Sequence, residues 1–314
     1  MVYNGLALLP HSSIAPSEQQ GIGVCAMKQL FFAACIAASI GVPVLPLQAP
    51  GIPPVKPHAT SDGSGPVALP VRESEFYRIE PVEGIQFIAP SDGDEYVEGE
   101  QVTIFWLSAP DIRFVKLSFF GDRTPLGGRS RGEFHEAITG TVPNKQFVAW
   151  TVPWIDTARF TLRIAGFDEQ KEAVAQDERA VLFRPRVMKD IQGTCIVISR
   201  ARQRLYYQED GLIKRIHVIS TAARGYRTPQ MGPSDHYKGR VFRKLPNPYS
   251  HLYECHMPYF LAITSSGSHG IHATSRPFYR RLGRPASHGC VRQHRADARI
   301  LFQLVKVGTP VYVF

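Results

Sequence analysis

Two stretches decide how this chain is read: Ser268-His269-Gly270-Ile271-His272 and Ser287-His288-Gly289-Cys290-Val291-Arg292. Within 25 residues they gather three histidines, a cysteine, glycines and an arginine. A cysteine attacks only as its thiolate, and a free thiol is mostly protonated at neutral pH, so it needs a base or positive surroundings. His272 is the candidate base, because an imidazole titrates near neutrality and can later hand the proton to a leaving amine. Arg292, two residues on, favours the anion. Gly289 lets backbone N–H groups approach a substrate carbonyl closely, as an oxyanion hole requires. A structural cysteine is ordinarily a small buried hydrophobe. Cys290 stands between His-Gly and Val-Arg with almost no apolar periodicity around it, which that reading explains poorly. Zinc is the sharper rival, with His269, His272, His288 and Cys290 as four candidate ligands. Against it, the His269–His272 pair contains a glycine and follows Ser265-Ser266-Gly267, so it lies on a loop or strand and not on a ligand-presenting helix. No carboxylate stands close by to serve a zinc-bound water. The preferred reading is a thiolate enzyme that needs neither metal nor cofactor.

Outward from these stretches the pattern is mostly β. Thr194–Ser199 is apolar and β-branched, and Arg204–Tyr207, the turn Glu209-Asp210-Gly211 and Ile213–Ser220 read as a hairpin. Pro258–Thr264 and Val311–Phe314 are further strands, and Asp297–Val305 is the one helix, just after the nucleophile. Residues 190–314 therefore read as one mostly β domain. Upstream, residues 84–187 show short alternating runs broken by turns: Ile85–Ile88, Gln101–Leu107, Val115–Phe120, Gln146–Trp150 and Arg159–Ile164. That spacing predicts a small β-sandwich. Pro90, Gly93, Glu98-Gly99-Glu100 and Trp106, followed by Trp150-Thr151-Val152-Pro153, resemble the immunoglobulin-like modules of envelope proteins. Trp106, Trp150 and Trp154 are expected in its core and not on a carbohydrate platform.

Residues 50–83 form a Pro/Gly-rich linker that cannot bury a core. Residues 1–49 hold an N-terminal extension and an export segment. Its basic start is Met27-Lys28, its apolar run is Leu30–Leu47, and it ends at a small-residue site, Leu47-Gln48-Ala49. Pro50 is a poor residue after a cleavage junction, so an uncleaved anchor is the alternative. Either way the expectation is an exported protein of the periplasm or envelope. Cys25 and Cys35 fall in this region; Cys195, Cys255 and Cys290 remain, an odd number that leaves at least one free thiol.

With 314 residues and 44% hydrophobic composition the chain is globular in type. Its net charge of +9 is unevenly spread. Residues 73–188 carry 13 basic and 19 acidic side chains, net −6, whereas residues 190–314 carry 19 and 6, net +13. A domain this basic suits an anionic partner. Nucleic acid is the usual competitor, but the export segment and the lack of any recognition motif weigh against it.

From Cys195 to the end, the sequence resembles the catalytic domain of L,D-transpeptidases of the YkuD type. Gly270-Ile271-His272, the 14-residue interval Ala273–Ala286, Ser287-His288-Gly289-Cys290, Arg292, Asp297 and Val307-Gly308-Thr309-Pro310-Val311 carry the resemblance. It implies a mainly β catalytic fold and a cysteine acyl-enzyme on peptidoglycan stem peptides. Cys290 is then the nucleophile and His272 its base. Backbone groups at Gly289 and Ala273 serve the oxyanion and the imidazole, while Ser287, His288 and Arg292 contact substrate. Terminal D-alanine would leave, and the acyl group would pass to a second stem, an envelope lipoprotein or water, the last making the enzyme an L,D-carboxypeptidase. The resemblance further implies acylation by carbapenems, a role in cell-wall organisation and cell shape, and no cofactor. The family more often has Gly or Ser at Ala273 and Met at Gln293, and Ser275–Arg284 is unusually basic. A non-catalytic wall-binding protein led by the sandwich is the rival from another class, and the complete motif set argues against it.

Overall fold

The computed structural model describes residues 82–233 and 239–314. The expected extension, export segment and most of the linker lie outside the described residues. Strict alternation builds the first half. In Arg159–Phe167 every second residue, from Phe160 to Gly166, is buried, as in a strand with one face on a core. Nine strands follow in order: β1 Ile85–Ala89, β2 Glu95–Val97, β3 Gln101–Ser108, β4 Phe114–Asp122, β5 Glu133–Ala137, β6 Val142–Pro143, β7 Phe147–Thr151, β8 Arg159–Phe167 and β9 Ala173–Arg184. They form two sheets, β1-β3-β7 and β2-β9-β8-β4-β5, the latter extended by β6 against β4. A single core of Ile104, Trp106, Leu117, Phe160, Leu162 and Phe183 lies between them. Trp106 is 2% exposed and Trp150 packs on that core, so both are structural. Trp154 packs there too, with the guanidinium groups of Arg202 and Arg204 over its ring at 5.0 and 5.6 Å.

The second half contributes β10 Cys195–Ser199, β11 Arg204–Glu209, β12 Leu212–Ser220, β13 Arg243–Leu245, β14 Tyr249–Ser250, β15 Cys255–His256, β16 Phe260–Ala262, β17 Gly270–Ala273, β18 Val291–Gln293 and β19 Val311–Val313. Eight of them make one sheet in the order β13-β16-β17-β18-β12-β11-β10-β19, and β14 pairs only with β15. β10 is buried along its whole length because both faces are covered. Ile196 and Ile198 enter one core, whereas Cys195 and Val197 enter another with Met188 and Tyr206. One α-helix, α1 (Arg295–Leu304), follows the site strands. It starts two residues before the expected Asp297, because His294 caps it: its Nδ1 accepts the Ala296 N–H at 3.2 Å.

Charged side chains of the sandwich and of the second half meet, one pair of them buried. Asp156 takes a two-pronged bond from Arg204 at 2.7 and 2.6 Å, plus a third from Arg131 at 2.7 Å. Arg184, at the end of β9, binds Glu95, the Gln208 side chain and the Gly211 carbonyl at 2.6, 2.9 and 2.6 Å. Arg202 pairs with Glu98. Part of the opposite-sign charge of the two halves is thus used within the molecule.

Candidate active site

β17 and β18 run parallel with His272 opposite Arg292. Opposed residues of paired strands share a face, and side chains alternate along a strand. Cys290, two before Arg292, therefore emerges on the face that carries His272. All three line one cleft of about 260 Å³, with Leu252, Tyr253, Cys255, Met257, Ser268, His269 and His288 around them. The Gly289 backbone has φ 138°, and a Cβ there would lie 2.8 Å from Nε2 of His269 and 3.2 Å from the Arg227 carbonyl. Only glycine lets the chain make this turn against the His269 ring.

Nδ1 of His272 lies 2.9 Å from the Ala273 carbonyl, so Nδ1–H donates there and Nε2 is left as the base. Burial pushes this imidazole down to about 4, outweighing the opposite pull of that bond. Burial likewise raises the Cys290 thiol, although a backbone bond from Gly270 and the charge of Arg292 act the other way. The cysteine remains half-buried and not sealed under apolar groups. Burial thus disfavours the charged form of both partners, against the positive surroundings that were expected to favour a thiolate. For the thiol, desolvation outweighs the positive surroundings.

The other expected residues divide. Arg292 faces the cleft and donates to the Ala286 carbonyl at 3.3 Å. His288 is exposed, stacked on Tyr253 at 5.0 Å and met edge-on by Tyr226 at 4.6 Å. Ser287 is fully buried, and its Oγ accepts the Gly289 N–H at 3.1 Å. It shapes the turn and lies out of a substrate's reach, a correction to its expected contact role. The same bond occupies the Gly289 N–H expected to face an oxyanion. The Ala273 N–H is likewise committed, to the Pro258 carbonyl at 2.9 Å.

Gly270, Tyr226, Tyr253 and Cys255 join the site without a sequence signal beyond Gly270-Ile271-His272. Thr228 also belongs to it, donating to the Gly289 carbonyl at 2.8 Å. Among the described residues no group of three or more His, Cys, Asp or Glu is placed to hold a metal. Cys195, Cys255 and Cys290 are all free, and Cys195 is buried far from solvent, its thiol raised by desolvation to about 11.

Residues 193–313 match the L,D-transpeptidase catalytic domain family, YkuD. Among solved structures the chain is similar to an L,D-transpeptidase from Stackebrandtia nassauensis, 24% identical over 41% of this chain and 62% of that one, with a TM-score of 0.34. It is similar to one from Mycobacterium smegmatis at 15% identity, over 74% of this chain and 99% of the other, with a TM-score of 0.35. A third, from Enterococcus faecium, is 25% identical over 40% of this chain and 50% of its own, with a TM-score of 0.32. The chain thus spans 62% of the Stackebrandtia protein's length, under two thirds. No curated protein matches. With the family matched across the sheet that carries Cys290 and His272, residues 193–313 are a YkuD L,D-transpeptidase catalytic domain.

Proposed function

We propose that this domain transfers the acyl group of a peptidoglycan stem peptide through Cys290. The sulfur attacks the carbonyl joining the third residue to the terminal D-alanine while its proton passes to Nε2 of His272. The C–N bond then breaks, His272 delivers that proton to the departing D-alanine amine, and a thioester remains. An amine of a second stem attacks this thioester, forming the new amide and returning a proton through His272 to the sulfur. A lipoprotein amine or water in the same place would give protein attachment or simple trimming. The Cys290 N–H meets the developing oxyanion, because that of Gly289 is already bonded to Ser287. Arg292 supplies positive charge for a substrate carboxylate.

One observation carries this reading: thiol and imidazole share a cleft, with the ring held by the Ala273 carbonyl in the tautomer that leaves Nε2 as base. A thioester-forming cysteine is also open to strained lactams, so acylation by a carbapenem is part of the proposal. L,D-transpeptidases in complex with imipenem and as an avibactam carbamoyl enzyme are among the similar structures. The apolar Leu30–Leu47 run supports placement in the envelope, where such substrates are. Cys290→Ala is expected to abolish D-alanine release from a tetrapeptide substrate with its circular dichroism spectrum unchanged. Undiminished release would remove the thiol from the mechanism. Product analysis of isolated sacculi would distinguish 3–3 crosslinks, attached lipoprotein and trimmed stems.

A further inference from the structure

A second hollow, about 760 Å³, lies where the loop after β4 meets the start of α1, and it shares no lining residue with the Cys290 cleft. Four guanidinium groups border it: Arg129 from the loop, Arg276 from the 3-10 helix Arg276–Arg281, and Arg295 and Arg299 from α1. None of the four is paired with a carboxylate among the described residues. Asp297, the acid of that helix, is turned away to backbone, accepting the Gly127 N–H at 3.1 Å. Their shared positive field reaches His294 between them: its proton affinity is lowered by burial and then by the charges of Arg129 and Arg276.

The hollow is built and not incidental. The turn Leu126–Arg129 is closed by two reciprocal backbone bonds of 3.0 and 3.1 Å. At its tip Gly127 has φ 61°, and a Cβ there would lie 2.1 Å from Nδ1 of His294. Only a glycine lets the turn seat against that ring. Tyr259 and Tyr279 add aromatic walls, with the Arg295 guanidinium 5.5 Å from the Tyr259 ring centre.

We propose that this hollow binds a phosphate-bearing ligand. Guanidinium forks match phosphate oxygens two at a time. Four unpaired cations call for a group with more than one negative charge, which a phosphate or diphosphate ester carries and a single carboxylate does not. The helix of ten residues starting at Arg295 adds its positive end. The volume exceeds what one phosphate fills, and the two tyrosine faces suit the organic part of the ester.

The test is calorimetric titration of the full chain with inorganic pyrophosphate at fixed ionic strength. Saturable binding is expected, weakened about 10-fold or more by Arg276→Gln with Arg299→Gln. The pair Arg215→Gln and Arg280→Gln removes the same charge from exposed positions outside the hollow and should change affinity less than about 2-fold. Absence of saturable binding, or equal loss in both double variants, overturns the proposal. Sedimentation with phosphatidylglycerol and phosphatidylcholine vesicles separates the sources. Binding to the anionic vesicles alone that pyrophosphate competes and that needs Arg276 and Arg299 identifies a lipid headgroup; pyrophosphate binding without vesicle binding identifies a soluble ester. Vesicle binding indifferent to both pyrophosphate and these arginines counts against it. D-alanine release should be unchanged in either double variant, so failure here leaves the acyl-transfer reading standing.

Discussion

Asp156→Ala removes the acid that three bonds converge on between the sandwich and the catalytic sheet. Arg131 is 36% exposed along its side chain and can turn to water, but Arg204 is only 7% exposed and cannot. After the change Arg204 retains the carbonyls of Arg202 and Gln203, at 3.3 and 3.2 Å, and the Trp154 face, so its charge stays buried without a counter-ion. Breaking such a pair by deleting one member costs roughly 3–5 kcal/mol, and the two remaining carbonyls place this case near the lower figure. For a folded unit of this size each kcal/mol moves the melting temperature by about 2–4 °C, so a drop of roughly 6–12 °C is expected. Tryptophan fluorescence during thermal unfolding reads it, since Trp154 lies beneath the Arg202 and Arg204 guanidinium groups. The double change Asp156→Leu with Arg204→Met should recover most of the loss, because no buried charge is stranded. A loss under about 1 kcal/mol in the single variant, or a double variant no better than the single, would refute the argument that the unpaired guanidinium sets the cost.

Three other outcomes follow from the site. At pH 7, a mass-spectrometric alkylation series should modify exposed Cys255 before Cys290, whose burial-raised thiol gains speed only as the pH climbs; Cys290 reacting first would mean a standing thiolate. Gly289→Ala should lower stability by about 1–3 kcal/mol and abolish D-alanine release, since the new Cβ meets His269; an active, fully stable variant in the same two assays would contradict that clash. Stability should fall as pH drops from about 6.5 to about 4, measured by urea unfolding. In that window the unfolded chain protonates His217 and His272 whereas the folded one does not, a loss on the order of 3 kcal/mol for each. Asp297, raised by burial to about 6, acts in the opposite direction between about 6 and its ordinary 3.8, offsetting part of the loss. A flat profile would place these imidazoles in water.

Strands with strong periodicity were legible as sequence. Gln101–Leu107, Arg159–Ile164 and Thr194–Ser199 each sit within or at a strand of the structure, because burial on one face, or on both, leaves a pattern in the residues themselves. β9 was not legible: Gln176-Asp177-Glu178-Arg179 looks like loop, yet Asp177 and Arg179 bond to each other and to the backbone of Phe87. β17 and β18, of four and three residues, are too short to show any period, so the strands that aim His272 and Cys290 were visible only through their motif. Cys290, His272, Arg292 and His288 were named from chemistry and resemblance, and the structure gathers them in one cleft. The burial that disfavours the charged forms of Cys290 and His272 is not legible, because desolvation depends on neighbours distant in sequence, and the inward turn of Ser287 is not legible, because nothing local reveals which way a hydroxyl points.

The grip of Asp156 on Arg204 has a consequence for dissection of the gene. A shortened protein starting at residue 193 would lose the carboxylate that Arg204 binds and the Arg184 partner of Gln208, opening to water a face that is interior in the longer chain. A foreign neighbour grafted in place of the sandwich would bury Arg204 without a counter-ion unless it supplied an acid at the corresponding position. The surface that Arg204 and Gln208 are built to meet therefore lies outside the stretch that carries Cys290 and His272.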